Sequence, residues 1–452
     1  MIKRIVYICA IVVFASTAFG QDNSTPRQLS LDDCIKIALE RNTTVLQSQY
    51  QAESQDARVL SAYGGLLPSL NASGEFNYTD LHSPPGSYTV GTTVIQTNGI
   101  SINRRYSAGV EANYTLFNGF ANYATVNQAS SASQAADLGF GRSKQTGAYQ
   151  ATVNYLAVFN ARDQLKISQD NLTRDQQQLE TIKEQNSVGS ASLAQVYQQQ
   201  SVVAADEYLL VQAKNTYDQA QASLKFFLGI PVTDNAVFAD STVKSDIDTT
   251  EFVQINRQFS ETAAVIDKAL QARSDYQAAV ADLNASKSSL TIAEAAYSPV
   301  ISASLQYGIY GPELANSGIS QNKNLSGLLS VSLPIFNGFQ TQSNIEEAGV
   351  AVKSSEQTLD AAQRQVALDV YQALLNLNAS EKGYEAAVNS VASAKINLET
   401  AQEKFRIGGA TLLDVLTANA QYTQALSNQV IAAYTYIQAK KQIEYAIGTI
   451  NY

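Results

Sequence analysis

The sequence predicts a mainly α-helical fold with a smaller β-structured part, built from two copies of one strand-plus-long-helix unit. Three observations predict it. Short motifs recur at a constant separation, prolines are absent from very long stretches, and four segments alternate between apolar and polar residues. The duplication sets the order of the elements, the missing prolines permit long helices, and the alternation indicates strands.

The first 20 residues predict a secretory signal peptide. Lys3 and Arg4 begin it, an apolar run over 5–19 follows, and Ala18-Phe19-Gly20 forms a small-x-small cleavage site. The run is too short for a comfortable membrane span. A single N-terminal anchor is the alternative.

The remaining chain is acidic. Removal of the signal leaves 432 residues, with 28 basic against 40 acidic side chains and a formal charge of −12. Such a charge disfavours nucleic acid as a partner. Cys34 is then the only cysteine, so no internal disulfide is expected. No later stretch has 18 consecutive apolar residues, so any crossing of a membrane is expected to use β-strands.

The duplication is visible as motifs that recur 219 positions apart. The first copy carries Phe117-Asn118-Gly119-Phe120, Leu179-Glu180-Thr181, Val188-Gly189 and Leu228-Gly229, and the second carries Phe336-Asn337-Gly338-Phe339, Leu398-Glu399-Thr400, Ile407-Gly408 and Ile447-Gly448. Upstream, Pro68 matches Pro299 at an offset of 231, so the first copy has 12 additional residues in its hairpin. We expect a first repeat over 21–229, a connecting segment over 230–260 at mid-length, and a second repeat over 261–452.

Each repeat is expected to contain one very long helix and two shorter ones. A helix of about 70 residues rises ~105 Å, the helix after it about 60 Å, and a first helix over roughly 29–62 about 50 Å. Two short helices stacked end to end therefore match one long helix. Gly189 and Gly408 are then expected at the tips, where the long helix turns back and glycine suits the turn.

The helix after the second tip has coiled-coil spacing, with steps of three and four residues. The seam consists of Leu412, Val415, Asn419, Tyr422, Leu426, Val430, Ala433, Ile437, Lys440, Ile443 and Ile447. Asn419 and Lys440 interrupt its apolar character, and an ordinary amphipathic helix is the alternative.

Four alternating segments predict two β-hairpins, at about 68–117 and 299–336. Their apolar faces are Leu70, Ala72, Gly74, Phe76 and Tyr78; Tyr106, Ala108, Val110, Ala112, Tyr114 and Leu116; Ile301, Ala303, Leu305 and Tyr307; and Leu325, Leu329, Val331, Leu333 and Ile335. Such strands with aromatic ends are typical of an outer-membrane barrel, although a half-buried antiparallel sheet alternates in the same way. Four strands cannot close a barrel, so a shared barrel requires a cyclic homo-oligomer.

These motifs resemble the TolC-like outer-membrane efflux family over essentially all of the mature chain. The resemblance rests on Phe-Asn-Gly-Phe after each hairpin, on Asn186-Ser187-Val188-Gly189, and on the second tip, Phe405-Arg406-Ile407-Gly408-Gly409-Ala410-Thr411-Leu412-Leu413-Asp414-Val415-Leu416. It implies a homotrimer in the outer membrane of a Gram-negative type envelope. Twelve strands, four per chain, would form the barrel among outer-membrane lipids, and a long helical barrel would extend into the periplasm.

The resemblance also implies roles for the tips and the junctions. The tips would close the tunnel and open when a periplasmic adaptor and an inner-membrane transporter of an efflux or type I secretion system dock. Adaptor docking would involve Val188, Gly189, Ile407, Gly408 and Gly409. The barrel-to-helix junctions would be Phe117, Asn118, Gly119 and Phe120 in the first copy and Phe336, Asn337, Gly338 and Phe339 in the second.

Asp414 falls where the family places a carboxylate ring at the constriction, and three copies around one axis would prefer cations. A solvated Asp on a helix surface is the alternative. The other gating positions depart from the family pattern. The second carboxylate falls on Thr417, the latch arginine on Ala410, the latch tyrosine on Phe405, and the first-tip aspartate on Gln195. We therefore expect closure by packing and a single acidic ring, with the second copy moving when the tunnel opens.

The sequence shows no constellation for catalysis. It has no nucleophile motif, phosphate loop or metal-ligand cluster, and its only histidine, His82, lies in the longer hairpin. We therefore expect no enzyme activity, metal or cofactor. Two alternatives stay open: a non-channel trimeric coiled-coil spacer or adhesin, and a duct that serves toxin, protease or metal export.

Overall fold

The computed structural model describes residues 28–82, 84, 86–97, 100–239, 246–248, 250–259, 261–313 and 322–450. The predicted signal over 1–20 lies outside these ranges. The first copy comprises β1 (Gln28–Leu29), α1 (Leu31–Arg41), α2 (Thr43–Gly64), β2 (Ser69–His82), β3 (Gly86–Val90), β4 (Thr93–Thr97), β5 (Ile100–Asn118), α3 (Ala121–Ser187) and α4 (Leu193–Phe227). The strand β6 (Val237–Phe238) and helix α5 (Thr250–Gln258) follow.

The second copy repeats this order. It comprises α6 (Thr262–Ala272), α7 (Ser274–Glu294), a short 3₁₀ turn (Ala295–Tyr297), β7 (Val300–Gly311), β8 (Asn322–Ser332), α8 (Gln340–Arg406) and α9 (Leu412–Ile447). The long helices α3 and α8 are 67 residues each, which gives each a length of about 100 Å. The short helices α4 and α9 have 35 and 36 residues.

The expectation of one continuous helix over roughly 29–62 was wrong. Asn42 adopts an extended conformation and separates α1 from α2. Its side-chain oxygen accepts hydrogen bonds from the amides of Thr44 and Val45, at 3.0 and 3.4 Å. Asn42 thus caps a new helix. Arg273 interrupts the leading helix of the second copy with an extended backbone as well, but without a hydrogen bond between its side chain and the backbone amides that start the next helix.

The four long strands form one antiparallel sheet in the order β2-β5-β7-β8. The register aligns Ala72, Val110, Tyr307 and Leu325 in one row across all four strands. Because directly opposed residues share a face, the predicted apolar faces of the four strands lie on the same side of the sheet, whereas Leu328 lies opposite Ser304 on the polar side. The neighbouring row carries Asn71, Glu111, Gln306 and Ser326 on the polar side.

Two details of the strands differ from the sequence prediction. Leu333 and Ile335 lie beyond β8, which ends at Ser332. The next residue but one is Pro334, which has no N–H to donate to a strand ladder. In β5 the register shifts between Thr115 and Phe117, so Leu116 has no direct partner in β7.

The longer hairpin of the first copy contains an additional two-stranded ribbon, β3 paired with β4. It lies between β2 and β5, inside the segment that the change of offset marks as longer. The insertion therefore extends the loop end of the hairpin and leaves the four-stranded sheet intact.

The connecting segment packs against the middle of both long helices. Phe238 of β6 lies against Tyr155 of α3, with ring centroids 6.3 Å apart. Phe252 of α5 contacts Tyr384 of α8 and Tyr436 of α9. Phe238 and Tyr155 belong to one apolar core, which also includes Tyr434 of α9. Phe252 belongs to a second core with Tyr384 and Tyr436. Within the described ranges, no helix has an apolar stretch long enough to cross a membrane.

Candidate functional site at the helix tips and junctions

The Phe-Asn-Gly-Phe motifs convert a strand into a long helix by the same geometry in both copies. Gly119 and Phe120 have φ of 66° and 67°, and Gly338 and Phe339 have φ of 66° and 65°. Two consecutive left-handed residues are costly, and the first is glycine, which tolerates the conformation. The motif therefore encodes a sharp, fixed turn.

The other two residues of the motif hold this turn. Asn118 accepts a hydrogen bond from the amide of Asn122 at 3.3 Å, which satisfies one of the free N–H groups at the start of α3. Phe117 and Phe120 pack edge to face at 5.4 Å between centroids, and so do Phe336 and Phe339, also at 5.4 Å. The predicted junction residues are thus brought together in each copy.

The tips are also equivalent in their backbone. Gly189 has φ of 79° and its amide donates to the carbonyl of Asn186 at 3.0 Å. Gly408 has φ of 78° and its amide donates to the carbonyl of Phe405 at 3.0 Å. A left-handed glycine after the last helical turn is the usual way for a helix to end and reverse.

A capping box starts the helix that returns from each tip. At the first tip, Ser192 bonds the amide of Gln195 and the Gln195 side chain accepts from the amide of Ser192 at 2.8 Å. At the second tip, Thr411 and Asp414 make the same reciprocal pair. The Asp414 carboxylate accepts from the Thr411 amide at 2.8 Å and from its hydroxyl at 2.7 Å. Asp414 therefore also caps the start of α9, a role that the sequence did not indicate.

The charge of Asp414 is favoured by this environment. Hydrogen bonds from the Thr411 amide and hydroxyl hold the pKa of the Asp414 carboxyl below its usual range. Its position in the first turn of α9 also places a negative charge at the positive end of the helix dipole. Asp414 is exposed, so its ionised carboxylate faces solvent at the tip.

The remaining predicted gating residues make few contacts across the tips. Thr417 donates its hydroxyl to the carbonyl of Leu413 within α9, at 2.8 Å. Phe405 and Ala410 are half-buried. The ion pair at the second tip joins Arg406 to Glu403 at 2.6 Å, within one helix. Among the described residues, no ion pair links the first tip to the second.

A buried polar network lies just behind the tips, where it joins the first copy to the second. Asp175 of α3 accepts from Gln199 of α4 at 3.0 Å and from Asn419 of α9 at 2.8 Å. Arg174 donates to Asn419 at 3.2 Å and to Thr423 at 3.0 Å. In the sequence, Asn419 stands out only as a polar residue that interrupts the apolar seam predicted for α9. A polar residue at a seam position was the signal for this network.

Asp206 of α4 completes the network. Burial, together with a hydrogen bond and charge repulsion from Asp175, raises the pKa of Asp206 to about 7. Asp206 and Asp175 are 8% and 3% exposed. The pair therefore differs from the solvated carboxylates on the helix surfaces.

A second polar cluster joins the two copies near the ends of the short helices. Arg273 pairs with Asp275 at 2.5 Å and with Asp369 at 2.7 Å. Arg142 of α3 lies over the ring of Tyr445, 3.9 Å from its centroid. Arg142 also pairs with Asp275 at 3.5 Å. The cluster therefore ties α3 of the first copy to α7 and α9 of the second, and Arg273 extends it to Asp369 of α8.

Comparisons with known proteins fit this geometry. Residues 34–230 and 265–449 match the outer membrane efflux protein family, one segment in each copy. The chain is 25% identical over 450 residues to outer membrane protein TolC of Vibrio cholerae, covering 97% of this chain and 95% of that protein. It is 24% identical over 419 residues to outer membrane protein TolC of Escherichia coli, with 91% and 80% covered. The solved structure of outer membrane protein VceC from Vibrio cholerae matches with a TM-score of 0.78 at 16% identity, covering 92% of this chain and 96% of that one.

The fold and these matches define an outer-membrane channel protein. The chain belongs to the outer membrane efflux protein family. The fold class, the channel function and the outer-membrane location predicted from the sequence are therefore confirmed.

Proposed function

We propose that three copies of this chain form one twelve-stranded barrel and one helical tunnel, through which substrates leave the periplasm passively. The single observation that carries the proposal is the sheet, whose four strands share one apolar face and run directly into helices about 100 Å long. In the described part of the chain, β2 and β8 each pair on one side only. An open edge is not tolerated in lipid, so each edge requires a neighbouring copy.

The tips supply the surface for the other partners. Val188, Ile407 and Leu413 are exposed apolar residues at the turns, at 78%, 67% and 61%. Apolar side chains at the end of a water-facing helix bundle are typical of an interaction surface. We assign them to docking of a periplasmic adaptor, which connects the tunnel to an inner-membrane transporter. In this assembly the transporter selects the substrate and the chain performs no catalysis.

The trimer and the channel are tested together with purified full-length protein. Mass measurement in detergent should give three chains per particle, and planar bilayers containing that particle should show discrete single-channel currents. A trimer that gives no current under any voltage would instead support a coiled-coil spacer or adhesin. A monomer would contradict the shared barrel.

We further propose that Asp414 forms a threefold carboxylate ring that favours cations at the closed tip. Its support is the position of Asp414 in the first turn after the second tip, where it is exposed and its pKa is lowered by Thr411. A ring of fixed negative charge attracts cations and binds multivalent ones more strongly. The predicted latch positions Ala410, Phe405 and Gln195 add no charge to this ring.

Asp414→Ala should weaken cation selectivity and reduce block by multivalent cations in single-channel recording. Asp414→Asn is the sharper variant, because its amide oxygen can still accept from Thr411 while the charge is removed. Glu356→Gln, an exposed position about 75 Å back along α8 from the tip, is the matched control and should leave selectivity unchanged. Unaltered selectivity in both Asp414 variants would remove Asp414 from the ion path.

A further inference from the structure

We propose that Asp175 and Asp206 form a proton-binding site, in which one shared proton joins α4 to α3 just behind the helix tips, at the point where Asp175 also holds Asn419 of α9. The site lies about 18 Å before the end of α3 and about 10 Å after the start of α9. It therefore occupies the part of the chain where the two copies would separate if the second copy swings. The site itself stands on its own geometry, and its effect on gating rests on the proposed channel function.

The charge of Arg174 acts on Asp206, but in the described structure neither the Asp175 nor the Asp206 carboxyl group forms an ion pair with it. The Arg174 guanidinium instead donates to Asn171, Asn419 and Thr423. Two unpaired carboxylates held together away from water repel each other and lose hydration. A single shared proton removes one charge and converts repulsion into a hydrogen bond.

The hydrogen bonds assign the proton to Asp206. Both oxygens of Asp175 accept amide N–H groups, one from Gln199 and one from Asn419. Such bonds favour the ionised form of a carboxyl group. Asp206 Oδ2, by contrast, is buried without a hydrogen-bond partner in the described structure. The neutral acid on α4 can therefore donate to the carboxylate on α3.

The surrounding elements determine how this proton responds to pH. The charged groups that act on Asp206 are Asp175, which repels its anion, and Arg174, which stabilises it, both from α3. The side chains of α9 at this site, Asn419 and Thr423, are neutral. Glu207, next on α4, is exposed. Within the described ranges, no group of His, Cys, Asp and Glu side chains is arranged to hold a metal ion.

The sign of the effect follows from the raised pKa of Asp206, at about 7. A carboxyl with a raised pKa in the folded protein binds its proton more tightly there than in the unfolded chain. Its stabilisation is therefore full below the ordinary carboxyl pKa of 3.8 and is lost progressively as pH rises from there through about 7. Above that pH two buried carboxylates draw in water and loosen the contact between α3, α4 and α9. In the proposed channel, the tips would be held firmly in mild acid and released in mild alkali.

Infrared difference spectroscopy of the full-length protein tests the proton directly. Between about pH 6 and about pH 8, a carbonyl band of a protonated carboxylic acid should disappear in the unaltered protein. The band should be absent at both pH values in Asp206→Asn and should persist at pH 6 in Glu207→Gln, the matched control on the next residue. The measurement on the unaltered protein needs no variant to fold. Absence of the band there would overturn the proposal, as would a carboxylate band that shifts on addition of calcium.

A second measurement tests whether the shared proton stabilises the packing of α9 against α3 and α4. The measured quantity is the amide hydrogen-exchange rate of the α9 segment around Asn419 divided by the rate of the α9 segment around Tyr436. This ratio should rise several-fold from about pH 6 to about pH 8. Asp206→Asn should abolish the change. Planar bilayers then test gating, where open probability should rise with pH in the unaltered protein and not in Asp206→Asn. A protein that forms no channel contradicts the proposed function and leaves the infrared and exchange results as independent tests of the site.

Discussion

The two copies interrupt their leading helix at matching positions, with Asn42 in the first and Arg273 in the second. Both side chains reach the end of the short helix of their own copy. Asn42 donates to the carbonyl of Phe227 at 2.9 Å, and Arg273 donates to the carbonyl of Ala446 at 3.3 Å. Phe227 and Ala446 are themselves 219 positions apart, so the two acceptors are equivalent.

The side chains otherwise act differently. Asn42 caps its own helix with its amide oxygen, whereas Arg273 is held by two carboxylates, Asp275 and Asp369. The comparison teaches that the interruption belongs to the packing of the repeat, because it persists when the residue that stabilises it changes from a neutral amide to a buried cation.

The largest difference is expected at these two positions. Arg273→Ala should lower the free energy of unfolding by about 3 kcal/mol, because it leaves Asp369 without its cation and Asp275 with only Arg142, 3.5 Å away. Asn42→Ala should lower it by about 1 kcal/mol, the usual loss of a helix cap. Urea unfolding in detergent, followed by circular dichroism, measures both values.

Arg364→Ala is the control for Arg273. Its pair with Asp360 lies on the exposed surface of α8, so it should change stability by less than about 0.5 kcal/mol.

The contribution of Arg273 to stability should also depend on pH. Burial raises the pKa of Asp275, but the hydrogen bond and charge of Arg273 outweigh it and the pKa is lowered. The contribution of this pair is therefore present at neutral pH and lost as pH falls through the lowered pKa. Equal losses in the Ala variants of Asn42 and Arg273 would contradict the comparison.

The second largest difference in stability between the copies is expected for alanine substitutions at the strand-to-helix junctions. Gly119 and Gly338 share φ of 66°, but their surroundings differ. A Cβ at Gly119 would lie 2.6 Å from Ser298 Cβ and 2.8 Å from the carbonyl oxygen of Ala295, while a Cβ at Gly338 would have nothing within 4 Å. Gly338→Ala should cost about 1 kcal/mol for the left-handed backbone, and Gly119→Ala at least about 1 kcal/mol more for overpacking.

Thermal unfolding of the two glycine variants, measured side by side, gives the comparison. The Gly119→Ala protein should unfold at a lower temperature than the Gly338→Ala protein. If both variants lose the same stability, the contact of Gly119 with Ser298 is not part of the packed structure in the membrane protein.

Local chemistry explains which of these features the sequence revealed. The tips were predictable because a left-handed backbone after a helix favours glycine, as at Gly189 and Gly408, whereas the junctions were identified by their recurring motif. The apolar face of the sheet was predictable because alternation records burial directly. In both cases the residue type reports its own conformation.

Features that depend on distant partners were not predictable in this way. Asn42 lies in a segment with good helical character, and its acceptor, Phe227, is 185 positions away. Asn419 interrupts the seam, and the reason could not be read from the sequence because its partner, Asp175, is 244 positions away. Helix periodicity cannot identify such partners. The break between α1 and α2 was therefore missed, and Asn419 was interpreted as a flaw in the apolar seam.

The tip glycines should behave alike, and this prediction tests the equivalence where it is strongest. Gly189 and Gly408 have φ of 79° and 78°, and a Cβ at either would have nothing within 4 Å. Alanine at each position should therefore cost about 1 kcal/mol. Gly349→Ala is the control of opposite sign, because this glycine lies inside α8 and alanine there should stabilise the helix by about 0.5–1 kcal/mol. Unequal losses at the two tips, measured by urea unfolding, would show that one tip is strained.

The smallest effect is expected at the capping boxes, where the copies differ by one ionisable group. As pH falls through the lowered pKa of Asp414, its carboxylate is protonated and the pair with Thr411 weakens. The Ser192–Gln195 pair has no group that titrates. Hydrogen exchange of the first turn of α9, divided by that of the first turn of α4, should therefore increase in acid.

Exchange of residues between the tips makes this test decisive. Asp414→Gln gives the second tip the pair found at the first, and should remove the acid dependence. Gln195→Asp should create the same dependence at the first tip, because Ser192 can donate to a carboxylate as Thr411 does. The ratio of the two exchange rates cancels the general effect of pH on amide exchange. If both tips of the unaltered protein loosen together in acid, the cause lies in the packing that they share and not in Asp414.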